Sequence, residues 1–317
     1  MMKYNLPADL DNEIDQLEAL IKKYRSGEAS QTELKAHRVP FGVYEQREPD
    51  TYMVRIRCAA GAVTPDQLEG IGAIASKYGV GDIHVTSRQE LQIHYVKLDD
   101  IVSIIRDIKK LGLATRGGGG NTVRNIIAPD DAGIDPDEEF DVSPYAFALT
   151  SRLIAESDSW NLPRKYKIAF SGSPEDKGYA TISDLGFIAK VKNGKKGFRV
   201  YAAGGMGAKS ATSKLLFDFI EDGEVYPVAK AMKNVFFKFG NRKNKHAARS
   251  RFLWDSLGGD EFKRKFHEEY SKIIKEGFTP LAVNETEDKA VTPLVPQEEP
   301  EDTTGFTMWK SRFAKEQ

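Results

Sequence analysis

Basic side chains recur at alternate positions in the predicted strands of this sequence, a spacing that places them on one face of a sheet. Guanidinium and ammonium groups gathered on one face can pair with carboxylates or small oxyanions. We therefore predict an anion-binding face. Its members are Arg55, Arg57, His84, Gln92, His94, Lys165 and Lys167, with Arg88 at a corner and Arg124 after a glycine run.

The alternative for this face is ordinary solvation, because antiparallel sheets often leave one face in water. For any single Arg or Lys, this simpler interpretation is the better one. A solvated face usually mixes Glu, Lys, Thr and Ser, whereas this set is mostly cationic or a neutral donor in a chain of net charge −1. The set as a whole favours anion binding, and both interpretations stay open at this point.

Two glycine-rich segments could bring backbone N–H groups close to a ligand. They are GGGGN at 117–121 and GGMG at 204–207. Neither has the spacing of a nucleotide-binding loop, and a flexible turn is the simpler interpretation of each. His246 lies beside Lys245 and Arg249 on a predicted helix, where a solvated basic face is again the simpler interpretation.

The composition excludes several classes of protein. The 317 residues are 40% hydrophobic and 29% charged, which are ordinary globular values and leave room for about two domains. The 46 Lys and Arg residues balance 47 Asp and Glu residues, so we expect no nucleic-acid partner. There is no apolar run of about 18 residues and no signal-peptide pattern, so we expect a cytoplasmic protein without a membrane partner.

Cysteine usage limits the metal chemistry of the chain. Cys58 is the single cysteine, so this chain alone can form neither an intramolecular disulfide nor a cysteine-ligated iron–sulfur site. Nucleophilic triads and paired acids at meaningful spacing are not evident either. We therefore predict no metal ligands in this chain.

The first half of the chain is predicted to have the order strand, helix, strand, strand, helix, strand, a split β-α-β unit of ferredoxin-like type. These elements are a strand at 51–58, a helix at 64–78, strands at 82–86 and 90–96, a helix at 98–111 and an extended segment at 121–128. Thr64 and Pro65 are typical of a helix start. A further helix is predicted over about the first 35 residues.

A second α/β domain is predicted after an acidic segment at 129–143. Its elements are a helix at 144–156, strands at 164–170, 186–191 and 197–202, and helices near 226–238, 244–256 and 260–275. Residues 278–300 are rich in Pro, Glu and Thr and are typical of a linker. Aromatic residues return at 304–313.

Six motifs in this order resemble the N-terminal half of the sirohaem-containing nitrite and sulfite reductases. They are VRIRCAAGAVTPDQL, IHVTSRQELQIH, TRGGGGNTVRNIIA, NLPRKYKIAFSG, AAGGMG and GNRKNKHAARSRF, and they span about residues 38–275. The resemblance implies an α+β fold with a helical extension at 1–37, a ferredoxin-like half-domain at 38–130 and an α/β sirohaem/4Fe–4S-type domain at 131–277. Residues 278–317 would then be a linker toward a C-terminal half.

The same resemblance implies the cofactors and the roles of the cationic residues. In this family two such halves surround sirohaem, which carries eight carboxylates, and a coupled [4Fe–4S] cluster. By motif position, the catalytic residues that surround a bound sulfite or nitrite would be Arg55, Arg124, Lys165 and Lys167. Cofactor-binding residues would be Arg57, His84, Arg88, Gln92, His94, Asn125, Arg164, Gly204, Gly205, Gly207, His246 and Arg249.

Three departures from the family pattern limit what this chain can do alone. His84 and His246 stand where several relatives carry Arg or Lys, and Ser173 and Lys177 where some carry cysteines. The family's cluster cysteines belong to the C-terminal half, so this chain would need that half or a separate subunit that supplies it. The alternative is a non-enzymatic remnant that keeps the fold and binds a tetrapyrrole or another polyanion.

The substrate and the electron donor are less sharply implied. Plant-type nitrite reductases tend to have Asn where Lys167 stands and sulfite reductases tend to have Lys, which favours sulfite. Other nitrite-reducing relatives keep both lysines, so nitrite stays open. The donor would be ferredoxin or a flavoprotein, and the sequence does not distinguish them.

Overall fold

A computed structural model describes residues 4–207, 209–284 and 303–314, and its fold is α+β, as predicted. The first half contains α1 Leu10–Arg25, α2 Gln31–Arg38, β1 Val43–Glu45, β2 Tyr52–Ile56, α3 Pro65–Tyr78, β3 Ile83–Val85, β4 Leu91–Val96 and α4 Ile101–Lys110. The second contains α5 Ser143–Ile154, β5 Ile168–Ser171, β6 Leu185–Lys192, β7 Lys195–Ala202, β8 Lys214–Glu221, α6 Val225–Phe239, α7 Ser250–Leu257 and α8 Gly259–Glu276. A last helix, α9, spans Thr303–Phe313.

The first sheet is antiparallel, with strand order β1-β2-β4-β3. Its register places Gln92 of β4 between Arg55 of β2 and His84 of β3. Helices α3 and α4 bury an apolar stripe that includes Ile71 and Ile104. The predicted start of α3 is confirmed, because the Thr64 hydroxyl accepts a hydrogen bond from Gln67 N–H and Pro65 is the first helical residue.

Two predictions for this half are corrected. The N-terminal segment forms two helices rather than one, since Gly27 has a φ of +82° after α1 and Ser30 caps α2. Residues 121–128 do not complete the first sheet; they make parallel bridges to Tyr166 and Ala169, and β1 is the unpredicted fourth strand. Residues 122–128 are all buried, as expected for a segment that other parts of the chain cover on both sides rather than for a strand with one face in water.

The second sheet has the order β5-β6-β7-β8, with β5 parallel to β6 and the other pairs antiparallel. Strand β8 was not predicted. Beneath the sheet lies an aromatic cluster whose neighbouring ring centroids are 4.8–5.8 Å apart, formed by Phe140, Tyr145, Phe170, Phe187 and Phe198. The described residues from 4 to 284 form one compact unit, so the two halves share a continuous core, and residues 303–314 belong to a second unit.

The C-terminal segment is only partly covered by this description. Residues 285–302, most of the predicted linker, lie outside the described residues. Within the second unit, α9 exposes Phe306 and Trp309, whose stacked rings have centroids 6.1 Å apart. No helix in the described part of the chain is long and apolar enough to cross a membrane.

Candidate anion-binding site

A cavity of about 170 Å³ opens where the first sheet meets the segment leading into β5. It is lined by Arg55, Thr86, Ser87, Arg88, Glu90, Arg124, Lys165 and Lys167. The structure therefore brings together the four residues that were predicted to surround a small anion, although they come from three distant parts of the sequence. We refer to this cavity and its eight lining residues as the cationic pocket.

The two arginines on the first side of the pocket are anchored by the glycine run. Arg55 Nη1 and Arg124 Nη2 both donate to the carbonyl oxygen of Gly118, at 3.1 and 2.5 Å. Because a guanidinium can only donate, the Gln92 side-chain oxygen is oriented to accept from Arg55 Nε and Nη2, at 3.0 and 2.7 Å. Arg124 Nε is buried and has no hydrogen-bond partner among the described residues.

Parallel pairing places Arg124 beside the two lysines. Arg124 N–H donates to the Tyr166 carbonyl at 2.8 Å, and Tyr166 N–H donates to the Thr122 carbonyl at 3.0 Å. The Tyr166 ring is fully buried and stacks on Phe236. Alternation along the extended backbone then turns Lys165 and Lys167 to the opposite side, into the pocket.

Both lysines are held among other cations. Burial, followed by the charges of Arg249 and Arg124, lowers the pKa of Lys165. Burial, with Arg88 and Arg249 nearby, lowers the pKa of Lys167 to about 7. Within the described ranges neither ammonium group has a hydrogen-bond or ion-pair partner, so the site lacks an anion that would balance them.

Arg88 extends from the turn between β3 and β4 across to the second half. Its Nη2 donates to the carbonyls of Asn125 at 2.7 Å and Ile168 at 3.2 Å, and burial lowers its pKa to about 10. The Asn125 amide donates in turn to the carbonyls of Cys58 at 2.6 Å and Arg88 at 3.1 Å. Asn125 therefore positions the turn from behind the pocket rather than lining it.

Two acidic residues that sequence reasoning missed belong to this region. Glu90 is 2% exposed and lies 3.8 Å from both Arg55 Nη1 and Arg124 Nη2. Asp184 is fully buried; it accepts from Arg249 Nε at 3.2 Å and Nη2 at 2.7 Å, from Lys167 N–H at 2.8 Å and from the Ser250 hydroxyl. The sequence gives no periodic signal for a single acid, although Glu90 follows Arg88 within the same short turn.

Arg57 does not join the anion-binding face as predicted. Strand β2 ends at Ile56, and Arg57 instead pairs with Ala114. Its side chain is 0% exposed, with Nη2 donating to the Val123 carbonyl at 2.9 Å and Nε to the Arg116 carbonyl at 3.3 Å. Arg57 therefore holds the glycine-run segment in place.

The remaining predicted cofactor contacts lie around the pocket rather than in it. His84 is exposed at the edge strand, and its ring centroid is 5.7 Å from that of His94, whose pKa is lowered by burial and by His84 and Arg55. Arg164 is half-buried beside Lys165. His246 is exposed on a short 3-10 turn, not on the predicted helix, whereas Arg249 is buried against Asp184.

The glycines mostly use their N–H groups within the backbone. Gly204 N–H donates to the Ser183 carbonyl at 2.9 Å, and Gly205 pairs with Ala211 in both directions. Gly118 N–H donates to the Thr115 carbonyl at 2.9 Å. The expected supply of free donors is therefore absent at these three positions, and it is the Gly118 carbonyl that contributes to the site. Gly207 is exposed.

The described residues hold no iron–sulfur site. Cys58 is buried, and burial raises the pKa of its thiol to about 12. Over residues 4–207, 209–284 and 303–314 there is no group of three or more His, Cys, Asp or Glu side chains that could hold a metal ion. At the positions where some relatives were expected to carry cysteines, Ser173 is buried and Lys177 pairs with Asp131 and Asp135 at 2.9 and 2.8 Å.

The fold and the pocket define an α+β protein with a cavity lined mainly by cationic side chains, and comparison with known proteins identifies its family. A model described as "Nitrite/Sulfite reductase ferredoxin-like half domain" matches residues 44–111. A model described as "Nitrite and sulphite reductase 4Fe-4S domain" matches residues 119–274. The chain belongs to the nitrite and sulfite reductases, a family of oxidoreductases whose cofactors are sirohaem and a [4Fe–4S] cluster.

Curated relatives of this chain are named as nitrite reductases. The assimilatory ferredoxin-dependent nitrite reductase of Haloferax mediterranei is 31% identical over 73% of this chain and 42% of its own length. The chloroplastic ferredoxin–nitrite reductase of Spinacia oleracea is 33% identical over 67% of this chain and 37% of its own. This chain therefore spans less than half the length of these relatives.

Solved structures share the fold. The NirA protein of Mycobacterium tuberculosis superposes with a TM-score of 0.74 at 24% identity, over 89% of this chain and 54% of NirA. Dissimilatory sulfite reductase I superposes with a TM-score of 0.62 at 13% identity, over 96% of each chain. At these identities the similarity concerns the fold alone.

Proposed function

We propose that this chain is the N-terminal half of a sirohaem-dependent reductase, competent only together with a C-terminal half. The observation that carries the proposal is the cationic pocket, in which five cationic side chains, including Arg55, Arg124, Lys165 and Lys167, are lined up against one carboxylate, Glu90. A small oxyanion supplies the missing negative charge. Membership of the nitrite and sulfite reductase family supports the reaction class, a six-electron reduction.

The residues present fit sirohaem on one side of the molecule. Among the described residues, Arg88 Nε and Arg124 Nε are buried without partners. Arg164 acts electrostatically on Lys165 and Arg55 on His94, and the His84 ring lies 5.7 Å from the His94 ring. Carboxylates of the macrocycle would be held by Arg88, Arg164, His84 and His94, which leaves Arg55 and Arg124 to the oxyanion. When bound, sirohaem would supply the iron at which the anion is reduced, with the six electrons coming from the external donor.

The same residues do not fit the [4Fe–4S] cluster. A cluster needs several thiolates, and Cys58 is a single buried thiol whose pKa is raised. The cluster ligands would come from the C-terminal half or from a separate subunit.

A cytoplasmic location stays a prediction.

The chain's own contribution to the chemistry is positive charge and protons at the oxyanion. Each oxygen that leaves as water requires two protons, and a group whose pKa lies near the working pH transfers them best. Burial and the neighbouring cations bring the pKa of Lys167 to about 7, so its ammonium group suits this role. Arg55 and Arg124 remain charged and orient the anion.

For the substrate we propose nitrite rather than sulfite, and for the electron donor ferredoxin. The names of the Haloferax mediterranei and Spinacia oleracea relatives support both choices. The earlier preference for sulfite depended on Lys167 alone. Because other nitrite-reducing members of the family keep both lysines, Lys167 is compatible with nitrite as well.

The anion-binding part of the proposal is tested by isothermal titration of the purified chain with nitrite and with sulfate. The double variant Lys165→Gln and Lys167→Gln should weaken both affinities by at least about tenfold, because it removes two cations from a partly desolvated site. The control, Lys97→Gln with Lys192→Gln, changes two exposed lysines by the same charge. Equal affinities in all three proteins would overturn the proposal.

The reductase part is tested by co-production with the C-terminal half. We expect C-x5-C and C-x3-C motifs in the same or the next reading frame, in an α/β context. The assembled protein should reduce nitrite with reduced ferredoxin, and the lysine double variant should not. Tight anion binding without reduction in the assembled protein would favour the non-enzymatic binding module instead.

A further inference from the structure

Glu90 is the acidic member of the cationic pocket, surrounded there by five cationic side chains. It is 2% exposed, and its Oε2 lies 3.8 Å from Arg55 Nη1 and from Arg124 Nη2. Those distances are too long for hydrogen bonds. Its Oε1 is buried and has no hydrogen-bond partner among the described residues.

The turn that holds Glu90 is closed by its backbone rather than by its carboxylate. Glu90 uses its backbone to close the turn, since its N–H donates to the Thr86 hydroxyl at 3.0 Å and its carbonyl accepts from Thr86 N–H at 2.9 Å. Gly118 and Gln92 already accept from the arginines. The charge of Glu90 does offset part of the effect of burial on Arg57, Arg88 and Arg124, whose pKa values burial lowers and Glu90 raises. This ion pairing does not explain why Oε1 is buried without a partner among the described residues, which costs free energy.

We propose that Glu90 sets the charge selectivity of the pocket and favours a singly charged oxyanion over a doubly charged one. This inference rests on the proposed function and narrows its substrate class. A cavity of about 170 Å³ brings any bound anion close to every lining group. Repulsion by one fixed carboxylate scales with the ligand's charge, so a dianion such as sulfate or sulfite is opposed about twice as strongly as nitrite.

The test compares nitrite with sulfate, a dianion at every pH used, by isothermal titration of the purified chain. Glu90→Gln keeps the shape and removes the charge. We expect it to raise the affinity for sulfate at least about tenfold more than the affinity for nitrite. Glu90→Asp keeps the charge and should keep the wild-type ratio of the two affinities. Glu48→Gln, at an exposed position outside the pocket, removes the same charge and should leave that ratio unchanged.

Two results would overturn the inference, and they differ in what they say of the proposed function. If both anions bind but their affinity ratio is the same in wild type and Glu90→Gln, Glu90 has no selectivity role and the pocket proposal stands. If neither anion binds any protein, both proposals fail. Should Glu90→Gln not fold by circular dichroism, Glu90→Thr is a second neutral variant with the same expectation.

Discussion

At the scale of single residues, the pocket shows how burial and neighbouring positive charges lower the pKa of a lysine. Lys165 and Lys167 lie beside Arg88, Arg124 and Arg249, and no carboxylate pairs with either ammonium group in the described part of the chain. Asp184 relieves them only in part: its charge raises the pKa of each lysine, but less than burial and the neighbouring cations lower it, and its oxygens accept from Arg249, Ser250 and a backbone N–H. The charge is therefore left for a ligand.

This arrangement predicts a pH-dependent stability effect for Lys167→Gln. The folded-state pKa of Lys167 is about 7, below its ordinary value of 10.5, so the unfolded chain holds more protons between those values. Through this group, the free energy of unfolding rises with pH across that window. Lys167→Gln should be more stable than wild type by about 1 kcal/mol at pH 7, after allowance for partial exposure, and the gain should shrink toward pH 10.

Urea denaturation at pH 7 and pH 9.5 measures this difference. Lys192→Gln, at the exposed end of β6, is the control and should differ from wild type equally at both values. A stability difference for Lys167→Gln that is the same at pH 7 and pH 9.5 would show that Lys167 titrates in the folded protein as it does in water.

At the scale of elements, sequence prediction succeeded where the signal is local. The start of α3 at Thr64 and the alternation that turns Lys165 and Lys167 to one side are both set by a few neighbouring residues. It failed where pairing joins distant segments. Arg57 continues the alternation of Arg55, yet it is buried because the chain leaves the sheet and the segment around Val123 covers it.

The glycine run at 117–121 holds two pocket arginines in place through the Gly118 carbonyl. A Cβ on Gly118 would lie 2.9 Å from the Thr115 carbonyl and 3.1 Å from the Arg55 carbonyl, both backbone atoms that cannot turn aside. Gly118→Ala should therefore destabilise the fold by about 1–3 kcal/mol and weaken nitrite binding, because it displaces the carbonyl that anchors both arginines. Urea denaturation and nitrite titration measure the two effects.

Gly72 in α3 is the matched control for that substitution. A Cβ there meets nothing within 4 Å, so Gly72→Ala should stabilise the protein by about 0.5–1 kcal/mol through the lower entropy of its unfolded chain. A Gly118→Ala protein with wild-type stability and wild-type nitrite affinity would contradict this prediction. It would show that the backbone of the glycine run can shift without cost and that the positions of Arg55 and Arg124 do not depend on the Gly118 carbonyl.

At the scale of the whole molecule, the site exists because two differently built halves share one core. The first sheet supplies Arg55 and the Arg88 turn, and the segment leading into β5 supplies the lysines. Asp184 accepts a hydrogen bond from Arg249, which lies 65 residues away in sequence just before α7, and so holds the start of that helix near the lysines. Such long-range contacts have no periodic signature, which is why Glu90 and Asp184 were not predicted. The alternating basic residues Arg55, Lys165 and Lys167 could be picked out because their spacing is local.

The final prediction concerns iron in the purified 317-residue chain. After anaerobic reconstitution with iron and sulfide, we expect less than about 0.1 iron per chain and no absorbance of a [4Fe–4S] cluster, since such a cluster needs several accessible thiolates. Cys58 is 1% exposed, and burial raises its thiol pKa to about 12, so it contributes no thiolate at neutral pH. Cys58→Ser should give the same iron content. About one iron per chain that disappears in Cys58→Ser would mean that four copies of this chain share one [4Fe–4S] cluster through their single cysteines. That result would remove the reason for expecting the cluster ligands in a C-terminal half.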